Sequence, residues 1–193
     1  MFRGEYIGVG RDTGRRSAGL LLYRQHCHGR ETNSQDVNQN DHTHDDATVE
    51  VLLAHPGGPL WARKDEGAWS LPKGLVEPGE DDLAAAHREF AEEIGTSAPA
   101  GQPIALGEVR LKSGKVVVGF AVEADPGTDL GGRGEEITVR SNTFEMVWPP
   151  RSGQMRSFPE VDRAQWFSPD AARLKLNPAQ AEFVGRLLEA LRG

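Results

Sequence analysis

KGLVEPGEDDLAAAHREFAEEIGTS, residues 73–97, is the stretch on which the reading of this chain turns. Asp81 and Asp82 stand where acidic side chains complement a helix dipole, and Gly95 stands where a left-handed cap ends a helix. The spacing predicts a helix over Asp82 to Ile94. At roughly 100° per residue, Leu83, Ala86, Phe90 and Ile94 gather on one side, the face expected to pack onto a sheet. Glu89, Glu92 and Glu93 lie at i, i+3 and i+4 and are neighbours on another face. On a wet surface such like-charged neighbours cost only a few tenths of a kcal/mol each, which leaves a plain solvated acidic face open. In a cleft, two carboxylates ~6 Å apart at an effective dielectric of ~20 repel by roughly 3 kcal/mol, and this calls for a proton or a bound cation. Oxygen donors without His or Cys suit Mg²⁺ or Mn²⁺.

The surrounding residues extend the second reading. Arg88 precedes Glu89 and lies one turn before Glu92, placed to brace a carboxylate by a bidentate contact. Gly74 and Gly79 make the preceding loop tight enough for backbone groups to approach a ligand or ion. In order, the stretch is Gly74, five residues, Glu80, seven residues, Arg88-Glu89-Phe90, one residue, Glu92-Glu93, one residue, Gly95. Over residues 74–96 this resembles the signature box of the Nudix hydrolases, with Thr96 in place of a final aliphatic residue. The resemblance implies the Nudix fold, an α/β (α+β) arrangement with a mixed β-sheet between α-helices. It also implies hydrolysis of a nucleoside diphosphate linked to another group, with Mg²⁺ or Mn²⁺ held by Glu89, Glu92 and Glu93. Gly74 joins that metal set from the loop, and Arg88 joins the catalytic set.

Within the family, WSLPKGLVEPGED (69–81) is similar to the matching stretch of asymmetric diadenosine tetraphosphate hydrolases. That likeness makes Lys73 a phosphate contact. FPEVDRAQWF (158–167) resembles the segment of those enzymes in which a Glu six residues before a Trp reaches the metal site. Glu160 is accordingly the candidate fourth ligand or general base, with Glu135, Glu136 and Glu145 competing for the role. Arg151 and Arg156 flank a loop, PRSGQMRS, and read either as a grip on outer phosphates or as solvated surface arginines. Trp69, Phe144 and Trp148 are candidates to stack a base or to pack in the core. The substrate expected is a (di)nucleoside polyphosphate such as diadenosine tetraphosphate. The alternatives are nucleoside triphosphates, diphosphoinositol polyphosphates, or nucleotide binding without catalysis, as in a sensor.

The remaining sequence sets bounds. At 193 residues, the length favours one domain spanning 1–193 with an adequate core. The net charge of −7 argues against a nucleic-acid polymer as partner. MFRGEYIGVGRDTGRR lacks the apolar core of a signal peptide, and no run approaches the ~20 apolar residues of a membrane span. The only cysteine, Cys27, fits a reducing compartment, so a cytoplasmic protein is expected.

SAGLLLYR (17–24) and ATVEVLLAH (47–55) read as strands. Between them, residues 25–46 are polar and without an apolar period, and read as an insertion. Its His26, Cys27, His28, His42 and His44 match no defensible zinc spacing. Farther on, residues 68–74 read as a short strand-like piece, 104–124 as two strands turning at Ser113-Gly114, and 142–150 as another strand. Ser168-Pro169 and Asn177-Pro178 are expected to start helices, the last burying Phe183, Val184, Leu187, Leu188 and Leu191.

Overall fold

Leu20 and Leu22 of strand β1 (Arg16–His26) belong to one buried cluster, and Leu21 and Tyr23 to another. Successive side chains of a strand point to opposite faces, so a strand apolar on both must be covered on both. The computed structural model, which describes residues 16–26, 48–124, 130 and 136–193, covers them with helices. Helix α1 (Asp82–Ile94) lies on one face, and α2 (Pro169–Lys175) with α3 (Ala181–Arg192) on the other.

The sheet is mixed. Its remaining strands are β2 (Thr48–Pro56), β3 (Lys73–Leu75), β4 (Ile104–Arg110), β5 (Val116–Glu123), β6 (Glu136–Ile137) and, after two strands that lie outside it, β9 (Val161–Phe167). They run in the order β4-β5-β1-β2-β9-β6, with β3 beside β1. Only β1 and β5 pair in parallel; the other pairs are antiparallel. The two outside strands, β7 (Thr143–Val147) and β8 (Met155–Pro159), form a separate hairpin. No described helix is long and apolar enough to cross a membrane.

On the edge away from β5, strand β1 divides its length between two partners. Tyr23 to His26 pair with β2, whereas Ser17 to Gly19 pair with β3. The start of the glycine-rich loop, Lys73-Gly74, is thereby pinned within the sheet and beside α1. The helix has the predicted bounds. Asp81 caps it, accepting bonds from the Leu83 and Ala84 amides, and Gly95 ends it in the left-handed region at φ 87°. Ala85, Ala86, Phe90 and Ile94 are buried against the sheet, while Leu83, expected among them, is only partly covered.

Several expectations need correction. Gln25 and His26 are paired strand residues and not part of the insertion, and His26 Nε2 lies 3.2 Å from Glu50 Oε2. Cys27, His28, His42 and His44 lie outside the described residues. PRSGQMRS is not a loop throughout: Arg156 pairs with Met146 inside β8, because residues 143–147 and 155–159 close on one another as a hairpin. Helix α3 starts at Ala181 and not at Pro178. Asn177 Oδ1 instead accepts from the Ala179 amide, and the following Gln180 turns inward to accept from the buried Leu71 amide at 3.2 Å. Of the two readings left open for Trp69, the structure bears out packing in the core: it is 2% exposed, packed edge-on against His55 and Phe167, and donates to Asp65 Oδ1.

Candidate active site

The site is built on the side of α1 that the sheet leaves uncovered. Arg88 organises it. Its Nε and Nη2 donate to the two oxygens of Glu80, both at 2.9 Å, and Nη2 also donates to the Leu75 carbonyl at 2.9 Å. Its Nη1 donates to Glu89 Oε1 at 2.8 Å and to Glu92 Oε1 at 3.4 Å. One guanidinium thus ties the loop to the helix and gathers two helix acids, a task that needs the fixed planar fork of Arg. Hydrogen bonds from Arg88, then from the Glu77 amide, hold the Glu80 carboxyl down at about 2. Glu80 is a structural anion.

Gly74 is required by contact. A Cβ there would stand 1.8 Å from Glu89 Oε2 and 1.9 Å from Glu89 Cδ, so the carboxylate lies directly against the backbone. Gly74→Ala is expected to displace Glu89 and to cost about 1–3 kcal/mol of stability, as overpacking does, which urea denaturation measures. Unchanged stability together with an unmoved Glu89 would show that the contact yields freely.

Burial raises the Glu89 carboxyl above its ordinary value, Arg88 opposes this, and the charges of Glu92 and Glu160 add to it. Glu93 is pushed further, to about 7. It keeps part of its surface accessible but lies deep among protein atoms, and this desolvation is the main cause. The Lys73 ammonium and the Lys73 amide, which donates to Glu93 Oε2 at 3.0 Å, oppose the shift; Glu89 and Glu160 reinforce it.

The structure therefore brings Lys73, Gly74, Arg88, Glu89, Glu92, Glu93 and Glu160 together. Glu160 joins them from the junction of β8 and β9, and its charge acts on both Glu89 and Glu93. Glu145 stands exposed on β7. The Glu136 side chain and all of Glu135 lie outside the described residues. Arg151, at φ 67° near the hairpin tip, and Arg156, on β8, are exposed and make no ion pair with the box acids among the described residues. Phe144 packs beside Phe158 at 6.1 Å between ring centroids, and Trp148 is half-buried just past β7.

Two residues that sequence reasoning passed over are Ser141 and Asn142. The Asn142 amide donates to the Glu92 carbonyl at 3.2 Å, and its Nδ2 to Glu92 Oε2 at 3.4 Å. No spacing rule signals such a contact, because it joins segments far apart in the chain.

The donor set fits a divalent cation in kind. It is all oxygen, it is concentrated beside a backbone that comes within contact of Glu89, and Glu93 is costly to ionise without a nearby positive charge. As they stand, no three acidic, His or Cys side chains among the described residues converge on one point, and Glu89 and Glu92 share Arg88 Nη1. Glu92, 40% exposed, is held only by two long bonds, each at 3.4 Å, from Arg88 and Asn142.

Residues 43–187 match the model of the NUDIX domain, and the chain belongs to that family. Over 62 residues it is 42% identical to an RNA pyrophosphohydrolase of Caulobacter vibrioides, a stretch covering 30% of this chain and 36% of that protein. Over 83 residues it is 36% identical to the asymmetrical bis(5'-nucleosyl)-tetraphosphatase of Mus musculus, covering 43% of this chain and 44% of that one. The chain thus spans less than half the length of these curated relatives. Its fold is similar to that of a C. elegans Ap4A hydrolase solved as a binary complex, with a TM-score of 0.56 and 19% identity over 92% of this chain and 98% of the other. The NUDIX domain of Shewanella oneidensis NrtR, complexed with ADP ribose, shares the fold at a TM-score of 0.51 and 14% identity, over 92% of this chain and 88% of that one.

Proposed function

We propose that this chain is a divalent-metal-dependent pyrophosphohydrolase of a nucleoside diphosphate linked to another group, with a dinucleoside polyphosphate such as diadenosine tetraphosphate as its substrate. The observation that supports the reading is geometric: Arg88 gathers Glu89 and Glu92, the Lys73 amide binds Glu93, and Asn142 links the Glu160 amide to Glu92. Nudix hydrolases generally use divalent metals. Mg²⁺ or Mn²⁺, when bound, supplies the Lewis acidity that screens the phosphates and activates water. Glu89, Glu92 and Glu93 would hold the ion, with Gly74 contributing from the loop and Glu160 acting as further ligand or general base. Lys73 directs a cation at the phosphate chain. Arg88 acts by fixing Glu89 and the loop. The whole chain, 1–193, is read as one Nudix domain, and its sole cysteine suits a cytoplasmic setting.

The test is a panel of diphosphates in Mg²⁺ with products separated by chromatography, and hydrolysis in ¹⁸O-labelled water. Diadenosine tetraphosphate is expected to yield ATP and AMP, with label in one product marking the attacked phosphorus. Lys73→Ala is expected chiefly to raise KM, whereas Glu160→Gln chiefly lowers kcat. Two molecules of ADP overturn the asymmetric reading. The match to RNA pyrophosphohydrolases favours a second reading, the same chemistry on RNA, and faster turnover of RNA would select it. Faster turnover of a nucleoside triphosphate or diphosphoinositol polyphosphate selects those substrates, and nucleotide binding without any turnover selects the sensor.

A further inference from the structure

Glu160 is the one residue between β8 and β9, where the chain leaves the hairpin and enters the large sheet. At such a switch both ladders lapse, and each peptide group needs another partner. The Glu160 amide donates to the Asn142 carbonyl and the Gly57 amide to the Glu160 carbonyl, each at 2.8 Å. A Cβ on Gly57 would stand 2.1 Å from the Pro159 carbonyl oxygen, so that side is closed by direct contact. The Val161 amide donates to Ser141 Oγ at 3.1 Å. The same Oγ lies 3.0 Å from the Val161 carbonyl and 2.9 Å from the Asn142 carbonyl. With one hydroxyl hydrogen, Ser141 donates to one of these carbonyls at a time while accepting from Val161.

Ser141 therefore grips the peptide that follows Glu160, and the adjoining Asn142 is bonded to Glu92 in the last turn of α1. The Glu160 side chain is exposed and makes no hydrogen bond of its own among the described residues, so the fold acts on it through the backbone, which sets the point and direction from which its carboxylate reaches out. Val161 is 4% exposed, so its amide has little recourse to water if Ser141 is lost.

We propose that Ser141 is a positioning residue, a pin that sets the Glu160 carboxylate relative to Glu92 and Glu93. The inference rests on the reading of Glu160 as an acid of the metal site. Outer partners that orient such acids typically change metal affinity or activity by about 10–100-fold when removed. The experiment is a double-mutant cycle of Ser141→Ala and Glu160→Gln. It reads kcat on the best substrate of the panel and, without substrate, Mn²⁺ affinity from the free-ion EPR signal. Ser141→Ala is expected to weaken Mn²⁺ binding and lower kcat by about tenfold each with little change in KM, and Ser141→Thr to restore most of both. In the Glu160→Gln background Ser141→Ala should add less than about twofold, because the group it positions is already gone. Equal losses in both backgrounds, or no rescue by Thr, overturn the inference and make Ser141 a general fold contact. If Glu160→Gln alone is indistinguishable from wild type, the reading of Glu160 falls first and this inference with it. Should Ser141→Ala not fold, Ser141→Cys, with a longer and weaker bond, carries the same cycle with the same outcomes.

Discussion

Glu93→Gln is expected to lower kcat by about 100-fold or more, exceeding the loss caused by removing an outer partner of a metal ligand. The substitution keeps shape and volume, and a Gln oxygen still accepts from the Lys73 amide. What it removes is charge, at the most deeply placed of the box acids, where the low local dielectric makes each charge count most. Glu92→Gln is expected to act in the same direction. Steady-state kinetics with a metal titration checks this, alongside circular dichroism to verify the fold. Near wild-type turnover by both variants would remove these carboxylates from the chemistry.

The same change is expected to stabilise the metal-free protein at pH 8 by about 3 kcal/mol. The sign follows from the direction of the shift. In the folded chain the Glu93 carboxyl is raised from 4.5 to about 7, so as pH rises the unfolded chain gives up its proton first. Between those values the native state binds more protons, stability falls with pH, and above about 7 the full cost of the buried charge is present. Glutamine carries no such cost. Urea denaturation in EDTA should therefore separate wild type from Glu93→Gln at pH 8 and show little difference at pH 4. Excess Mg²⁺ should narrow or reverse the gap, because an ion bound only by the native acids stabilises the wild type. Equal stability at pH 8 in EDTA would mean that Glu93 is solvated well enough to ionise freely.

The two results are linked. A carboxylate that costs stability in the free chain and rate when removed is one placed for its ligand and not for the fold. Arg88 marks the contrast: its bonds to Glu80 and the Leu75 carbonyl tie the loop to the helix through the chain's own groups.

The extent of α1, its end at Gly95, and the placing of Glu89, Glu92 and Glu93 as neighbours on one face were legible in residues 73–97, because all depend on residues within one or two helical turns, whereas the structure showed that Asp81, read as a complement to the helix dipole, caps the helix with its side chain. The buried strand β1 was legible for a similar reason, as an apolar run needs cover wherever it lies. Sequence alone left four acids beyond the box, Glu135, Glu136, Glu145 and Glu160, in competition. Of these, the structure describes the side chains of Glu145 and Glu160: β7 and β8 fold back as a hairpin with Glu145 exposed on it, β9 pairs with β2, and Glu160 falls at the junction. The tertiary structure decided that Trp69 is core, that Arg156 lies in a strand, and that Gln180 turns inward, so α3 starts late. The bonds of Ser141 and Asn142 were invisible for the same physical reason. A helix reports its own neighbours through its period, whereas contacts between remote segments depend on sheet order and chain reversal, which no local spacing encodes.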